Sequence, residues 1–212
     1  MIREQVAAAA RRLAAEGLLV GTAGNVSARD GDRVAVTGTG VVLGDCTAGD
    51  VTVVSLDGRV LDGALLPTSE LDLHLGVYAA TDAAAVVHTH APYSTAVACV
   101  LDELPVLHYQ QLLLGGAVPV APYATFGTPE LARAVVAGLA GRPAVLMANH
   151  GSVAIGATLD KAVEHALLLE WLATLHHRAS ALGAPRALTE EQQADVVTQA
   201  LNRSYGTTQE NA

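Results

Sequence analysis

Positive charge, aromatic side chains and cysteine are all scarce in this sequence. Its 212 residues carry 12 Lys and Arg against 21 Asp and Glu, a formal net charge of −9 at pH 7. No run of Lys or Arg occurs, so nucleic acid and anionic membranes are not expected partners. Aromatic residues make up 3% and hydrophobic residues 51%, which predicts a core of Ala, Val and Leu. The low charged fraction of 16% favours some surface buried against further copies of the chain.

Disulfide and membrane signals are missing as well. Cys46 and Cys99 show no CxxC spacing and no framework, so reduced thiols in a cytoplasmic protein are expected. No stretch approaches 18 uninterrupted apolar residues, so no transmembrane span is predicted. Arg11, Arg12 and Glu16 interrupt the N-terminal apolar stretch, which therefore predicts an amphipathic helix and not a signal peptide.

Several common catalytic motifs are absent. The sequence has no Gly-Lys-Ser/Thr phosphate loop, no dinucleotide fingerprint and no GxSxG. Its single lysine, Lys161, falls in the first turn of a predicted helix, where exposure is expected. A Schiff-base mechanism would have to use that residue, so a reaction that forms a carbanion would depend on a metal instead.

Hydrophobic periodicity predicts strands and helices that alternate along the whole chain. The class is therefore α/β, with helices covering a central sheet in one domain over residues 1–212. Strands are predicted at "RVAVTG", "VTVVSL", "AVPVAPYA", "AVLMAN" and the run that ends at His90. Helices are predicted over about residues 3–19, from near Ser69, from Pro92, and over about 128–141, 158–182 and 189–202.

Two histidines lie two residues apart at the end of one buried strand. Side chains at i and i+2 of a strand share a face, so His88 and His90 would project together. His150, in "MANHGSVAIG", directly follows another buried strand, and it joins the pair if the two strands are neighbours. Three imidazoles with one open position are the usual plan of a catalytic zinc site, and Mn²⁺ or Co²⁺ could use the same ligands. Packing or hydrogen-bonded histidines are the alternative.

An acidic residue and three polar turns complete the candidate site. Glu70 follows Thr68 and Ser69 at an expected helix start, where it is either a surface cap or a base beside the metal. The turns "GTAGNVS", "TGTG" and "PTSE" would, if they converge, supply backbone N–H groups, hydroxyls and the Asn25 amide to an anion without any cation.

Together these motifs resemble one known family. The segments are "GTAGNVS", "VTGTGV", "PTSELDLHLGVY", "AVVHTHAPYSTAVA", "LPVLHY", "PVAPYATFGT" and "NHG". In this order, over nearly the whole chain, they resemble the class II aldolase/adducin family, and within it they look most like the branch that acts on L-fuculose 1-phosphate. The resemblance implies an α/β/α fold with a mostly antiparallel sheet. It also implies a four-fold homotetramer with active sites between subunits.

The resemblance further implies a zinc-dependent aldolase that cleaves a ketose 1-phosphate to dihydroxyacetone phosphate and an aldehyde. The metal ligands would be His88, His90 and His150, with Glu70 as fourth ligand or base. Tyr109 would protonate the aldehyde oxygen, and Tyr205 would correspond to a tyrosine that closes over substrate. The phosphate would be held by Asn25, Thr37, Gly38, Thr68 and Ser69, with Thr68 standing where the family usually has Ser.

Other members of this family suggest different activities. The alternatives are a 4-epimerase, dehydratase or decarboxylase of a phosphorylated sugar or sugar acid, or a non-catalytic adducin-like assembly module. Glu70 together with Tyr109 favours an aldolase over an epimerase, because the resemblance implies that epimerase relatives have Asp at the position of Glu70. It does not separate an aldolase from a decarboxylase or dehydratase. The presence of every metal ligand argues against the non-catalytic module.

Overall fold

Nine strands form one sheet in the computed structural model, which describes residues 2–203. In chain order the strands are β1 Asn25–Asp30, β2 Arg33–Thr37, β3 Val51–Ser55, β4 Val60–Asp62, β5 Ala85–Thr89, β6 Glu103–Leu104, β7 Val118–Ala121, β8 Ala144–Met147 and β9 Gly151–Gly156. Their order across the sheet is β4-β3-β2-β1-β5-β9-β8-β7-β6. Every neighbouring pair is antiparallel except β7 with β8, which confirms the expected mostly antiparallel sheet.

Helices cover both faces of this sheet, as the sequence predicted. They are α1 Ile2–Ala15, α2 Leu71–Ala80, α3 Pro92–Ala98, α4 Pro129–Gly138, α5 Leu159–Leu182 and α6 Glu190–Asn202. One face is covered by α1, α3 and α5 and the other by α2 and α4, while α6 contacts the 3₁₀ segment Tyr109–Leu114. No helix within residues 2–203 is both long and apolar enough to span a membrane.

The buried core consists almost entirely of small aliphatic side chains. Within the described residues Tyr78 is the only aromatic side chain in that core. Side chains alternate between the faces of the central strand β5: Ala85 and Val87 pack with α1 and α5, whereas Val86 packs with α2 and α4. By the same alternation His88 lies on the face that α2 covers.

The neighbouring strand β1 follows the same rule. Val26 and Ala28 pack towards α1 and α5, so Asn25 and Ser27 face α2. The antiparallel register of β1 with β5 places Asn25 directly opposite His88. A patch of polar side chains is thereby buried between the centre of the sheet and α2.

Strands β1 and β9 were not predicted from the sequence. The segment "GTAGNVS" consists of small and polar residues, so the sequence predicted a turn throughout. In the structure only the part around Gly24, which has a positive φ of 89°, is a turn, and β1 begins at Asn25. Gly151 likewise looked like part of a turn, but it is the first residue of a fully buried strand. Both strands flank β5 directly, so their pairing decides which groups surround His88.

Two helix boundaries also differ from the prediction. Helix α1 ends at Ala15, because Gly17 adopts a left-handed φ of 79° that ends the helix. Helix α2 begins at Leu71, and Glu70 is its N-cap without a side-chain capping bond. Because the carboxylate of Glu70 does not cap its own helix, it is available for other contacts.

A carboxylate from α5 holds the start of α3, the helix that follows His90. Glu170 accepts hydrogen bonds from the backbone N–H of Tyr93 at 2.9 Å and of Ser94 at 2.8 Å, and from the Ser94 hydroxyl at 2.7 Å. The N-cap residue of α3, Ala91, has no side chain that could accept these bonds. Glu170 therefore supplies the missing cap from a distant part of the chain.

We predict that Glu170→Ala lowers the free energy of unfolding by about 1–3 kcal/mol, because three donors at the start of α3 lose a charged acceptor. The measurement is urea denaturation monitored by circular dichroism. Glu164→Gln is the matched control, since Glu164 lies on the same helix and makes an exposed ion pair with Lys161. That control should change stability by less than about 1 kcal/mol. Equal effects of the two variants would contradict the capping role.

Candidate metal centre and active site

Three imidazoles meet at one edge of the sheet. His88, His90 and His150 offer ring nitrogens that all lie within 4.8 Å of one another. The ring centroids are 4.8 to 4.9 Å apart, and the Nε2 atoms of His88 and His90 are separated by 2.9 Å. The sequence predicted this grouping, and the structure brings the three residues together.

The proton on His88 is directed away from the cluster. Its Nδ1 lies 2.9 Å from the backbone carbonyl oxygen of Ser152, which can only accept, so Nδ1 carries the hydrogen. The Nε2 lone pair therefore points towards His90. Metal-binding histidines commonly show this arrangement, in which a carbonyl fixes the tautomer of the ligand.

His150 reaches the cluster by a route other than the one expected. The strand before it, β8, is not a neighbour of β5, because β9 lies between them. His150 instead occupies the turn that leads into β9, which pairs with β5 directly. At the next position Gly151 is required: a Cβ atom there would collide with the carbonyl oxygen of Thr89 and lie 3.4 Å from the His88 ring. The backbones of β5 and β9 can thus approach closely beside the histidines.

Glu70 faces the three histidines from the start of α2. It is 6% exposed, and its Oε2 accepts a hydrogen bond from the Asn25 amide at 2.9 Å. Its carboxylate oxygens lie 3.1 Å from Nε2 of His88 and 3.5 Å from Nε2 of His150. The alternative interpretation as a surface helix cap does not fit a buried carboxylate with these contacts.

The electrostatics favour an ionised Glu70 carboxylate beside His90 and His150, whose pKa values are lowered. Burial alone would raise the pKa of Glu70, but the hydrogen bond and charge that His88 offers when protonated, the hydrogen bond from Asn25 and the charge of a protonated His150 lower it below its usual range. Burial, followed by the charges of His88 and His150, lowers the pKa of His90 to about 4. Burial and the charge of His88 likewise lower the pKa of His150. Neutral imidazole is the form that binds metal.

These groups fit a divalent metal ion. Glu70 Oε1 is buried and has no hydrogen-bond partner within residues 2–203, which a bound cation would correct. Four donors about 2 Å from one zinc ion would lie roughly 3.3 Å from one another. The Nε2 atoms of His88 and His90 are 2.9 Å apart, and the two oxygens of Glu70 lie 3.1 Å from His88 and 3.5 Å from His150, respectively. Three imidazoles and one carboxylate are ligands that zinc accepts.

A cavity of about 300 Å³ opens beside this cluster. It is lined by the three polar turns that the sequence pointed out, at residues 22–25, 38–40 and 68–70, so these turns do converge. The remaining lining residues are His90, Tyr123, Ala124, Phe126, Asn149 and His150. Within the described part of the chain no lysine or arginine lines the cavity.

The cavity wall contains the expected phosphate residues except one. Asn25, Gly38, Thr68 and Ser69 line it, but Thr37 does not. Thr37 is the last residue of β2, and its hydroxyl accepts a hydrogen bond from the backbone N–H of Val26 at 3.2 Å inside the sheet.

Thr39 and Gly40 line the cavity instead, although the sequence analysis did not select them. It also missed Thr22, Asn149 and the aromatic pair Tyr123 and Phe126. The sequence did offer a signal, because every one of these residues belongs to a segment quoted above: Thr39 and Gly40 to "TGTG", Thr22 to "GTAGNVS", Asn149 to "NHG", and Tyr123 and Phe126 to "PVAPYATFGT".

One predicted tyrosine, Tyr109, is not among the residues that line the cavity of this chain. Tyr109 begins the 3₁₀ segment Tyr109–Leu114, is half exposed, and packs its ring on His108, which in turn contacts Trp171. Tyr205 lies outside the described residues. His108 is not among the residues of the metal cluster.

With the site described, similarity to known proteins becomes informative. A family model described as the Class II Aldolase and Adducin N-terminal domain matches residues 4–177. The 5-deoxy-D-ribulose 1-phosphate aldolase of Bacillus thuringiensis serovar kurstaki is 37% identical over 193 residues, 90% of this chain and 91% of the relative. The L-fuculose phosphate aldolase of Escherichia coli strain K12 is 38% identical over 192 residues, 90% of this chain and 88% of the relative.

A solved structure agrees with these sequence matches. An L-fuculose 1-phosphate aldolase superposes with a TM-score of 0.88 at 33% identity, covering 93% of this chain and 95% of the other. The chain belongs to the class II aldolase/adducin family. Within that family its relatives are aldolases, and the activity is that of an aldehyde-lyase.

We predict that the protein binds about one divalent ion per chain and that His150→Ala loses most of it, because one of three imidazole donors is removed. Metal content after dialysis, measured by plasma emission spectrometry, checks this. His177→Ala is the matched control, because His177 is an exposed histidine on α5 that stacks on Tyr93. Retention of one ion per chain by His150→Ala would remove that residue from the ligand set.

Proposed function

We propose that this aldolase cleaves a ketose 1-phosphate reversibly to dihydroxyacetone phosphate and an aldehyde, using a bound metal ion. The observation that carries the proposal is one cavity that is lined by His90, His150 and Glu70 of the metal cluster and by three polar turns, none of which contains a lysine or arginine. One end offers ligands for a cation and the other offers donors for an anion. A ketose 1-phosphate presents a carbonyl and a phosphate at a matching short separation.

The histidines would hold the ion, with zinc as the first expectation and Mn²⁺ or Co²⁺ as alternatives. When bound, such an ion supplies Lewis acidity that stabilises negative charge on the substrate carbonyl oxygen while the carbon–carbon bond breaks or forms. Lys161 lies in an exposed ion pair with Glu164, which leaves it out of this cavity and supports a mechanism without a Schiff base.

Glu70 would serve as the fourth donor to the ion before substrate binds, and as the base of the reaction. In the synthetic direction its carboxylate removes a proton from the carbon of dihydroxyacetone phosphate that becomes C3 of the product. In cleavage it returns the proton to that carbon. Its burial and its contact with the Asn25 amide hold the carboxylate in one orientation.

The phosphate is held by Asn25, Gly38, Thr68 and Ser69, and we add Thr39 and Gly40 to this set. The hydroxyls of Thr39 and Ser69 line the cavity, and the described residues offer them no side-chain hydrogen-bond partner. Thr37 contributes indirectly, since its hydroxyl fixes the start of β1 next to Asn25. Neutral hydroxyl, amide and backbone donors then replace the cations that an acidic chain lacks here.

Tyr109 donates a proton to the aldehyde oxygen from a neighbouring subunit. The tyrosine is half exposed and absent from the cavity of its own chain. Leu113 of the same 3₁₀ segment and Trp171, which contacts the His108 ring, are exposed as well. These features support an assembly in which one subunit completes the site of the next, and we propose that this assembly is a homotetramer in the cytoplasm. Tyr205 is proposed to close over the substrate.

The aldehyde product is proposed to be small, with an apolar end. Tyr123 and Phe126 line the cavity and carry no charge. Two relatives are named for 5-deoxyribulose 1-phosphate and fuculose phosphate, sugars whose aldehyde fragments both end in a methyl group. Both remain candidate substrates.

The test is turnover of a panel that contains L-fuculose 1-phosphate, 5-deoxy-D-ribulose 1-phosphate and the same sugars without phosphate. We expect dihydroxyacetone phosphate from at least one phosphorylated ketose, as measured by coupled oxidation of NADH, and no aldehyde product from the free sugars. Lys161→Ala should retain parental turnover, and borohydride should trap no adduct. Release of carbon dioxide from a phosphorylated sugar acid, without any aldol cleavage, would identify a decarboxylase instead.

We predict that Glu70→Gln lowers kcat by about 10²–10⁴-fold, because the amide cannot accept the proton. Metal content should stay near the parental value, since the three imidazoles remain. Asp72→Asn is the matched control: it removes a carboxylate from the exposed side of the same helix, outside the cavity. Parental turnover by Glu70→Gln would return Glu70 to a structural role.

The shared site can be tested by subunit mixing. Tyr109→Phe should keep the metal and lose the proton donor, whereas His150→Ala should lose the metal and keep the tyrosine. Mixed tetramers of these two inactive variants would contain some interfaces with both intact halves, so activity should return in part. Each variant refolded alone must stay inactive. Proven mixed tetramers without activity would place Tyr109 outside the site.

A further inference from the structure

The histidine of α2 is buried behind the active site and does not line the cavity. His74 is fully buried, 0% exposed, one helical turn after Glu70. Its ring uses both nitrogens: Nδ1 lies 2.7 Å from the Ser27 hydroxyl and Nε2 lies 2.5 Å from the side-chain oxygen of Asn25. Neither the metal cluster nor the cavity wall includes it. The roles proposed so far leave His74 unexplained.

The direction of each hydrogen bond in this network follows from Glu70. An ionised carboxylate can only accept, so Asn25 must turn its NH₂ group towards Glu70 Oε2, 2.9 Å away. The Asn25 carbonyl oxygen then faces His74 and can only accept, which places a hydrogen on His74 Nε2. Burial, and secondarily the charge of His88, lower the pKa of His74 to about 3, so the ring is neutral and its Nδ1 is an acceptor.

The chain of bonds continues to the far end of α2. Because His74 Nδ1 accepts, the Ser27 hydroxyl donates to it. The Ser27 oxygen is then the acceptor for the hydroxyl of Tyr78, 2.6 Å away. Burial raises the pKa of Tyr78, which keeps its proton in place. The bonds therefore run in one direction from Tyr78 through Ser27, His74 and Asn25 to Glu70.

We infer that His74 is a positioning residue that fixes the orientation of the Asn25 amide and, through it, the catalytic carboxylate of Glu70. The kinetic part of this inference rests on the proposed function, whereas the hydrogen-bond directions do not. An amide side chain can rotate by half a turn at little steric cost. In the rotated form the Asn25 carbonyl oxygen would face the Glu70 carboxylate at hydrogen-bond distance, and two acceptors would repel each other.

His74 prevents this rotation because its Nε2–H offers only a donor to Asn25. Ser27 favours the required tautomer because it presents its hydroxyl hydrogen to Nδ1, and Tyr78 holds Ser27 in that orientation by donating to its oxygen. All of these groups are buried, where unmatched hydrogen bonds are most costly. An amide does not readily pass protons on, so the network orients Glu70 and does not carry its proton away.

The first experiment needs neither substrate nor a variant. In protein labelled with ¹⁵N at the histidine rings, long-range proton–nitrogen spectra at pH 7 should show His74 as the neutral tautomer protonated at Nε2. An imidazolium, or a ring protonated at Nδ1, would overturn the inference. An enzyme inactive on every ketose phosphate would refute the proposed function and leave this result standing.

The second experiment separates positioning from packing. His74→Phe keeps a ring and removes the donor, so kcat should fall about 10–100-fold while metal content stays near one ion per chain. His165→Phe is the matched control, because His165 is also a buried histidine. It lies on α5, and its Nδ1 is 2.7 Å from the backbone carbonyl oxygen of Ile155. This control should lose stability and keep kcat.

His74→Gln supplies the conservative variant, since its amide N–H can donate to Asn25 while its carbonyl accepts from Ser27. It should recover most of the turnover that His74→Phe loses, at a similar metal content. Equal kcat values for His74→Phe and His165→Phe, relative to folded protein, would overturn the positioning role. So would a His74→Gln protein that is folded and metal-loaded but no more active than His74→Phe.

Discussion

The antiparallel pairing of β5 with β1 on one side and β9 on the other is the constraint on which the rest of the site depends. It sets Asn25 opposite His88 and brings the carbonyl of Ser152 to the His88 ring. It also places His150 at the start of β9, where the backbone approaches β5 so closely that only glycine fits at position 151. A shift of one residue in either register would turn His88 away from α2 and from Glu70.

Around this centre, two helices begin next to the site. Helix α2 offers Glu70 before its first residue, and α3 begins two residues after His90, with Glu170 of α5 holding its first N–H groups. The polar groups behind Glu70 are satisfied in one consistent direction from Tyr78 inwards. Such a buried network is stable only if every member is matched, so the carboxylate has little freedom to move.

The sequence predicted the chemistry of this site better than its framework. His88 and His90 could be placed together because a period of two is a property of any strand, and Glu70 could be selected because it follows two hydroxyl residues. The strands β1 and β9 were missed because of Gly24 and Gly151. A glycine in the sequence can mark a turn, or it can mark a strand whose backbone approaches another backbone closely, and the sequence does not distinguish the two. Thr37 and Thr39 could not be separated either, because the end of a strand is uncertain by about two residues. The role of His74 depends on Ser27 and Asn25, which lie 47 and 49 residues away along the chain. Local sequence patterns do not reveal contacts over such separations.

Within the described residues no lysine or arginine lines the cavity, which has a consequence for how a phosphate would be selected. Attraction by a lysine or arginine side chain is screened by salt over a Debye length, which is about 10 Å at 0.1 M. Hydroxyl, amide and backbone donors act only over a hydrogen-bond length and depend on direction. Recognition of the phosphate by such donors depends on the tetrahedral shape of the anion more than on its charge, and ionic strength should affect it little.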